Sequence, residues 1–155
     1  MAEEVNALDK LVSKFGVRKP YKGELDFFKK RPEVAGMATE DNKIILNPFS
    51  KNSPEEQQAV ARNEALRLYM KIGNIQPDFE LTKEQQKFFS GTEYESDPLS
   101  AKRTTLARIL TGDPSAGQIT PEQSDAAKQI LSNINLSDKV PVQDGYKKGG
   151  QISFI

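Results

Sequence analysis

The chain has 155 residues, enough for one ordinary domain, with 36 % hydrophobic residues and a mean hydropathy of −0.63, both on the polar side for a globular protein. Lys and Arg together number 22, and so do Asp and Glu. The net charge is therefore zero, without the cationic surplus that general binding to nucleic-acid phosphates needs. Cys and His are both absent, which removes disulfides, thiol chemistry, imidazole acid–base catalysis and the usual zinc ligand sets.

Charge is unevenly spread. Residues 1–31 carry eight Lys/Arg against five acids, while residues 76–98 carry six acids against two Lys. Solvated helix faces explain this, and so do patches that dock onto charged neighbours. The N-terminus, Met1-Ala2-Glu3-Glu4, is acidic rather than signal-like. No apolar run approaches the ~18 residues of a membrane helix. The expectation is a soluble protein synthesised in a cytoplasm, with no membrane partner.

Residues 3–15 form an amphipathic pattern, with Val5, Leu8, Leu11, Val12 and Phe15 at helical spacing and Gly16 as the stop. Val17–Gly23 is a basic connector. Leu25, Phe27 and Phe28 belong to a short helix that ends before Arg31-Pro32, because a residue preceding proline avoids helical geometry. A polar turn at Glu40-Asp41-Asn42 precedes Lys43-Ile44-Ile45-Leu46, the one strand expected in the body, ended by Asn47-Pro48.

Three later helices announce themselves by capping chemistry. Ser53-Pro54-Glu55-Glu56 opens a helix to about Ile72 with Gly73 just beyond it. Ala61, Ala65, Leu68 and Ile72 line one side, flanked by Val60 and Tyr69. Thr82-Lys83-Glu84-Gln85 opens a short helix that carries Phe88 and Phe89 and closes at Gly91. Asp97-Pro98 opens another, running to Gly112. Thr120-Pro121-Glu122-Gln123 opens the last, whose face is Ala126, Ala127, Ile130, Leu131 and Ile134. The bodies behind these openings do not match, so the chain is not a repeat protein.

After Asn135 the pattern breaks into Val140-Pro141-Val142, a Gly/Lys loop over 145–150, and the alternating Gln151-Ile152-Ser153-Phe154-Ile155. The resulting division is an N-terminal helix with basic connector (1–23), a helical body (24–135) and an extended tail ending in a short strand (136–155). The fold class is mainly α, five to six helices with a minor β element. Five residues cannot hold a strand alone against backbone entropy. The end strand either adds to a partner's sheet edge through Ile152, Phe154 and Ile155, or lies on this chain's own Ile44–Leu46.

Residues 42–70 follow the order of a zinc metallopeptidase: a strand, an Asn-Pro turn, an acidic helix start, then Asn63-Glu64-Ala65-Leu66-Arg67 where His-Glu-x-x-His would stand. Glu64 occupies the general-base place. Arg67 cannot ligate a cation and Asn63 is a poor zinc ligand, so no metal and no cofactor is expected. Ordinary helix grammar and a decayed metallopeptidase-like scaffold both account for the pattern. Gly112-Asp113-Pro114-Ser115-Ala116-Gly117 follows a helix and lacks a Gly-Lys ending, so it is a turn rather than a phosphate loop. Adjacent residues on a helix point about 100° apart, so one member of each pair Phe27-Phe28 and Phe88-Phe89 faces outward. Phe28 and Phe89 are taken as the partner-binding anchors.

Arg31-Pro32-Glu33-Val34-Ala35-Gly36-Met37-Ala38, the Ile44–Pro48 strand and turn, Asn63-Glu64 with Arg67, and Gly112–Gly117 with Thr120-Pro121-Glu122-Gln123 together resemble a family of small proteins encoded by tailed phages, cyanophages and other marine phages among them. The resemblance covers roughly residues 24–130. It implies a phage setting and no particular chemistry. The function expected is that of a non-enzymatic virion protein binding phage capsid or portal–tail proteins, with several copies in a symmetric assembly. A phage-encoded intracellular adaptor or regulator is the alternative from another class, and an enzyme using carboxylates alone is the third. Far-UV circular dichroism of the chain is expected to be dominated by a helical signal; a β-type spectrum would contradict the architecture.

Overall fold

In the computed structural model the described residues are 2–136, with side chains described from Ala7 to Ile134. The first helix, α1 (Ala2–Phe15), buries Ala7, Leu8, Leu11 and Phe15 on one stripe. Gly16 stops it with φ +90, a left-handed conformation that suits a residue without Cβ. The connector that follows is held to the sheet rather than left loose. Arg18 N donates to Ile44 O at 2.9 Å, and Ile44 N donates to Gly16 O at 3.0 Å.

Helix α2 (Lys22–Lys30) starts where Tyr21 N donates to Glu24 Oε1 at 2.7 Å and ends, as expected, before Arg31-Pro32. Strands β1 (Gly36–Ala38) and β2 (Ile44–Leu46) pair antiparallel with Met37 opposite Ile45. Asn42, at φ +59, makes the turn between them. Buried Asn47 then fixes the preceding loop: its Nδ2 donates to Val34 O at 2.7 Å, and its Oδ1 accepts from Phe49 N at 2.7 Å. Strand β1 was not expected from the sequence, since three residues carry no readable alternation. It exists because β2 offers a partner and because Gly36 lets the strand lie close to the next helix.

That helix, α3 (Pro54–Ile72), has the expected capping box, with Glu56 N donating to Ser53 Oγ at 3.1 Å and Ser53 N to Glu56 Oε1 at 2.7 Å. Its burial differs from the one-sided stripe read in the sequence. Glu64, Ala65, Leu66, Leu68, Tyr69 and Met70 are all buried, because α1, the two strands and a later helix pack around it. At its end Gly73 has φ −79, and Asn74, at φ +50, takes the left-handed position instead.

Helix α4 (Lys83–Phe88) leads through a 3-10 turn (Glu93–Ser96) into α5 (Pro98–Thr111), which Gly112 closes at φ +74. A second 3-10 turn (Pro114–Ala116) precedes α6 (Pro121–Leu136). Helix α5 packs on α3, α6 and both 3-10 turns, α1 touches α6, and α4 rests on the second turn. The helices α1, α3, α5 and α6 thus close a circuit around one core, to which α6 contributes Ala127, Ile130 and Ile134 from the stripe expected of it. Among the described residues the architecture is a small, mainly α domain of six helices with a two-stranded sheet. The tail beyond Leu136, with its expected strand, lies outside the described residues.

A Cβ at Gly36 would sit 2.8 Å from Val60 Cγ1 and 2.9 Å from Ile45 O, whereas one at Gly23 in α2 meets nothing within 4 Å. Gly36→Ala is therefore expected to cost about 1–3 kcal/mol by urea unfolding. Gly23→Ala is expected to be neutral or to stabilise by up to about 1 kcal/mol. Equal effects at the two sites would contradict the close packing of β1 on α3.

Candidate functional site

Helix α3 lies against both strands and brings Glu64 to the sheet-facing side of the core. The carboxyl is buried, and its partner is on its own helix: Arg67 Nη1 donates to Glu64 Oε2 at 3.3 Å. Arg67 reaches outward with its other nitrogen, donating from Nη2 to the Tyr94 hydroxyl, while its guanidinium stands 5.7 Å from the Tyr94 ring centroid. Tyr94 in turn meets Phe89 edge-on at 5.7 Å, and Arg108 covers Phe89 at 5.1 Å. A continuous contact chain therefore runs from the buried Glu64 to the surface.

Electrostatics follow from that burial. Loss of water pushes the Glu64 carboxyl above the usual carboxylate range, while the Arg67 charge and hydrogen bond and the Ala38 backbone amide oppose the shift. The arrangement holds the Glu93–Ser96 turn against α3. It does not present a carboxylate to water, because the acid is committed to a guanidinium inside the fold. Among the described residues no three His, Cys, Asp or Glu side chains gather in a way that could hold a metal ion. Asn63 and Arg67, at the metallopeptidase ligand places, cannot supply such a group.

The two Phe pairs separate cleanly, and the assignment within each pair is the reverse of the one made from sequence. Phe28 is 0 % and Phe89 3 % exposed, while Phe27 is 39 % and Phe88 47 % exposed. Phe28 shares the inward face of α2 with Leu25, three residues earlier. Phe89 shares the inward side of α4 with the buried Gln85, four residues earlier. Helices this short hold too few apolar positions for the sequence alone to set their phase, although the Leu25–Phe28 spacing was an available signal. The rings left exposed are thus Phe27 and Phe88, and Phe28 and Phe89 hold their helices to the body.

Two grooves adjoin these helices, the first lined by the outward Phe27 and the second by the inward Phe89. One, of about 580 Å³, lies between α2 and the β1–β2 turn and is lined by Arg18, Tyr21, Phe27, Met37 and Asp41. Its wall is stiffened by Arg18, whose guanidinium bonds both Glu24 oxygens at 2.9 Å and both Asp41 oxygens at 3.2 Å, and stacks 3.9 Å over Tyr21. The other, of about 620 Å³, lies between α4 and α5 and is lined by Leu81, Phe89, Tyr94, Glu95, Pro98 and Lys102. Sequence reasoning missed both grooves, since they arise from tertiary contacts.

Ile152, Phe154 and Ile155, the remaining expected anchors, lie outside the described residues. The strand proposed as their partner within the chain, β2, has β1 along one edge and the Gly16–Arg18 connector on the other at Ile44. No family model matches the chain, and no curated protein or solved structure shows significant similarity to it.

Glu64 gives a pH-dependent prediction. Its folded pKa is raised, so the folded state binds its proton more tightly than the unfolded chain, and ionising it costs stability as pH rises above the unfolded value of 4.5. Asp9, Glu24 and Asp97 are shifted down and act oppositely, losing stability as pH falls. The stability difference between wild type and Glu64→Gln isolates the first effect. It should move in favour of the variant as pH rises from about 4.5 towards neutral; a difference independent of pH would show that the Glu64 carboxyl is not shifted upward in the folded chain. Arg67→Met, which strips the partner, should cost about 1–3 kcal/mol at neutral pH.

Proposed function

We propose that the chain is a non-enzymatic structural or accessory protein of a tailed-phage particle, present in several copies and binding other proteins of the capsid or portal–tail assembly. The resemblance over residues 24–130 supports the phage setting. The observation that carries the binding role is the paired arrangement of phenylalanines: at both α2 and α4 one ring anchors the helix and its neighbour is displayed on the surface, Phe27 beside a groove. Exposed aromatics of this kind supply most of the energy at protein–protein interfaces. The non-enzymatic part rests on Glu64, whose carboxyl is engaged by Arg67 where a catalytic base would face solvent.

A second reading has its own support. A two-stranded sheet lying on a helix with a buried Glu64, with Asn63 and Arg67 in the ligand places, suits a metallopeptidase-like scaffold that has lost its metal and kept its shape. Such a scaffold would also work by binding. A phage-encoded adaptor or regulator acting in the infected cell differs in where the protein is found.

Mass spectrometry of purified particles separates these readings. The proposal expects the protein in particles, at a fixed stoichiometry to the major capsid or portal protein. Abundance in infected cells with none in particles would overturn it and favour the intracellular adaptor. Deleting Gln151–Ile155 tests the tail: loss of incorporation with an unchanged melting temperature is expected if Ile152 and Phe154 dock on a neighbour. A large drop in melting temperature would instead assign the segment to the fold.

A further inference from the structure

The groove beside α2 combines exposed rings with a surplus of negative charge. Tyr21 and Phe27 stand exposed along it, with half-buried Met37 beside them. Its charged lining is Arg18 against Glu24, Glu40 and Asp41. The Arg18 guanidinium is committed within the wall, paired to Glu24 at 2.9 Å and to Asp41 at 3.2 Å, so it is closed to an incoming anion and offsets one carboxylate of the three. Glu40 is exposed and makes no ion pair among the described residues. The exposed lysines 19, 22, 30 and 43 are close in sequence but do not line the groove. Its rings already receive cations from this chain, Arg18 over Tyr21 at 3.9 Å and Arg31 at 5.9 Å from Phe27. A cation flanked by an aromatic ring suits such a lining. The α4–α5 groove, with Lys83, Lys87 and Lys102 against Glu80 and Glu95, has no acidic surplus.

We infer that the chain fills this groove with its own Tyr146-Lys147-Lys148 run, docked within the same protomer. In an extended run alternate side chains fall on one side. Tyr146 and Lys148 then enter together, the ring against Tyr21 and Phe27 and the ammonium towards Glu40, while Lys147 turns outward. Gly145, Gly149 and Gly150 flank the run and bring no side chains to hinder close approach. Lys139, the other cation of residues 137–155, stands beside Asp138 and only three residues past the end of α6. Residues 137–148 span up to about 40 Å, and a domain of this size is about 35 Å across, so the run reaches the groove of its own protomer. Helix α6 also packs on α1, whose end leads directly to Arg18 in the groove wall. A tethered segment is present at an effective concentration of about millimolar, which favours it over a second copy at micromolar protein. The inference goes beyond the binding role proposed above and does not depend on the phage setting. Ile152, Phe154 and Ile155 lie past the docked run.

Carbodiimide cross-linking of the full chain tests this, read by peptide mass spectrometry on an equal mixture of normal and heavy-nitrogen protein. Lys148 should be joined to Glu40, or to the adjoining Glu24 or Asp41, with both halves of each linked pair carrying the same isotope. Phe27→Ala and Tyr146→Ala leave every reacting group in place, and each should lower the yield of these links by about fivefold or more. Lys147→Ser should leave the Lys148 links intact. Phe27 is exposed, and unchanged helical dichroism confirms that the variants fold. Linked pairs that mix the two isotopes would overturn the inference by placing a second copy in the groove. Absence of any Lys148 link to the three acids would overturn it as well. So would links whose yield ignores both ring removals, since these would reflect chance encounters of charged groups.

Discussion

A buried pair of glutamines ties the second half of this molecule together. Gln85 and Gln123 are the third helical residues of α4 and α6, and each serves its own helix first: Thr82 N donates to Gln85 Oε1 at 2.9 Å and Thr120 N to Gln123 Oε1 at 3.3 Å. The side chains then pair with each other, Gln85 Nε2 to Gln123 Oε1 at 2.9 Å and Gln123 Nε2 to Gln85 Oε1 at 2.7 Å. Their remaining amide hydrogens go to the backbone, one to Ala116 O at 2.9 Å and the other to Glu80 O at 3.0 Å. Two capping boxes, a 3-10 turn and the loop before α4 therefore meet in one network with every polar atom engaged, the condition under which buried polarity rigidifies a fold. Helix α4 has six residues and could not persist alone, so this network together with Phe89 holds it with Phe88 outward.

The first half is organised around α3 instead. Its buried circumference requires neighbours on every side, and they are supplied by α1, the sheet and α5. One consequence is that Glu64, an acid at the start of the most buried stretch, needs an internal cation. Arg67 meets that need, and through Tyr94 it also fastens the turn that follows α4. The same ion pair therefore keeps the Glu64 carboxyl closed off from solvent and holds the Glu93–Ser96 turn against α3. On the other side Arg18 does comparable work, clasping Glu24 of α2 and Asp41 of the β1–β2 turn, so that Phe27 stands beside a groove with fixed walls.

Much of this frame is legible in the chain because its signals are local. Ser53 with Glu56, Thr82 with Gln85 and Thr120 with Gln123 mark helix starts by hydrogen bonds within four residues, and Asp97-Pro98 and Gly112 bound α5 by cap and backbone conformation. What escapes the sequence is decided by distant residues. Strand β1 depends on Val60 passing over Gly36, and the left-handed residue after α3 is Asn74 rather than Gly73. Each outward phenylalanine was assigned to the wrong member of its pair, because the phase of a short helix is set by what it packs on. The glutamine pair spans 38 positions, and nothing in either capping box announces it.

The direct measurement of this account is a double-mutant cycle on Gln85→Leu and Gln123→Leu, read by urea unfolding. Each single change leaves the other buried amide without its partner and should cost about 2–3 kcal/mol. The double change removes both amides and should cost less than the two singles together, with a coupling of about 1 kcal/mol or more. Additive effects, each below about 0.5 kcal/mol, would mean that the pair does not hold α4 and α6 together, and the account of how Phe88 is displayed would fail with it.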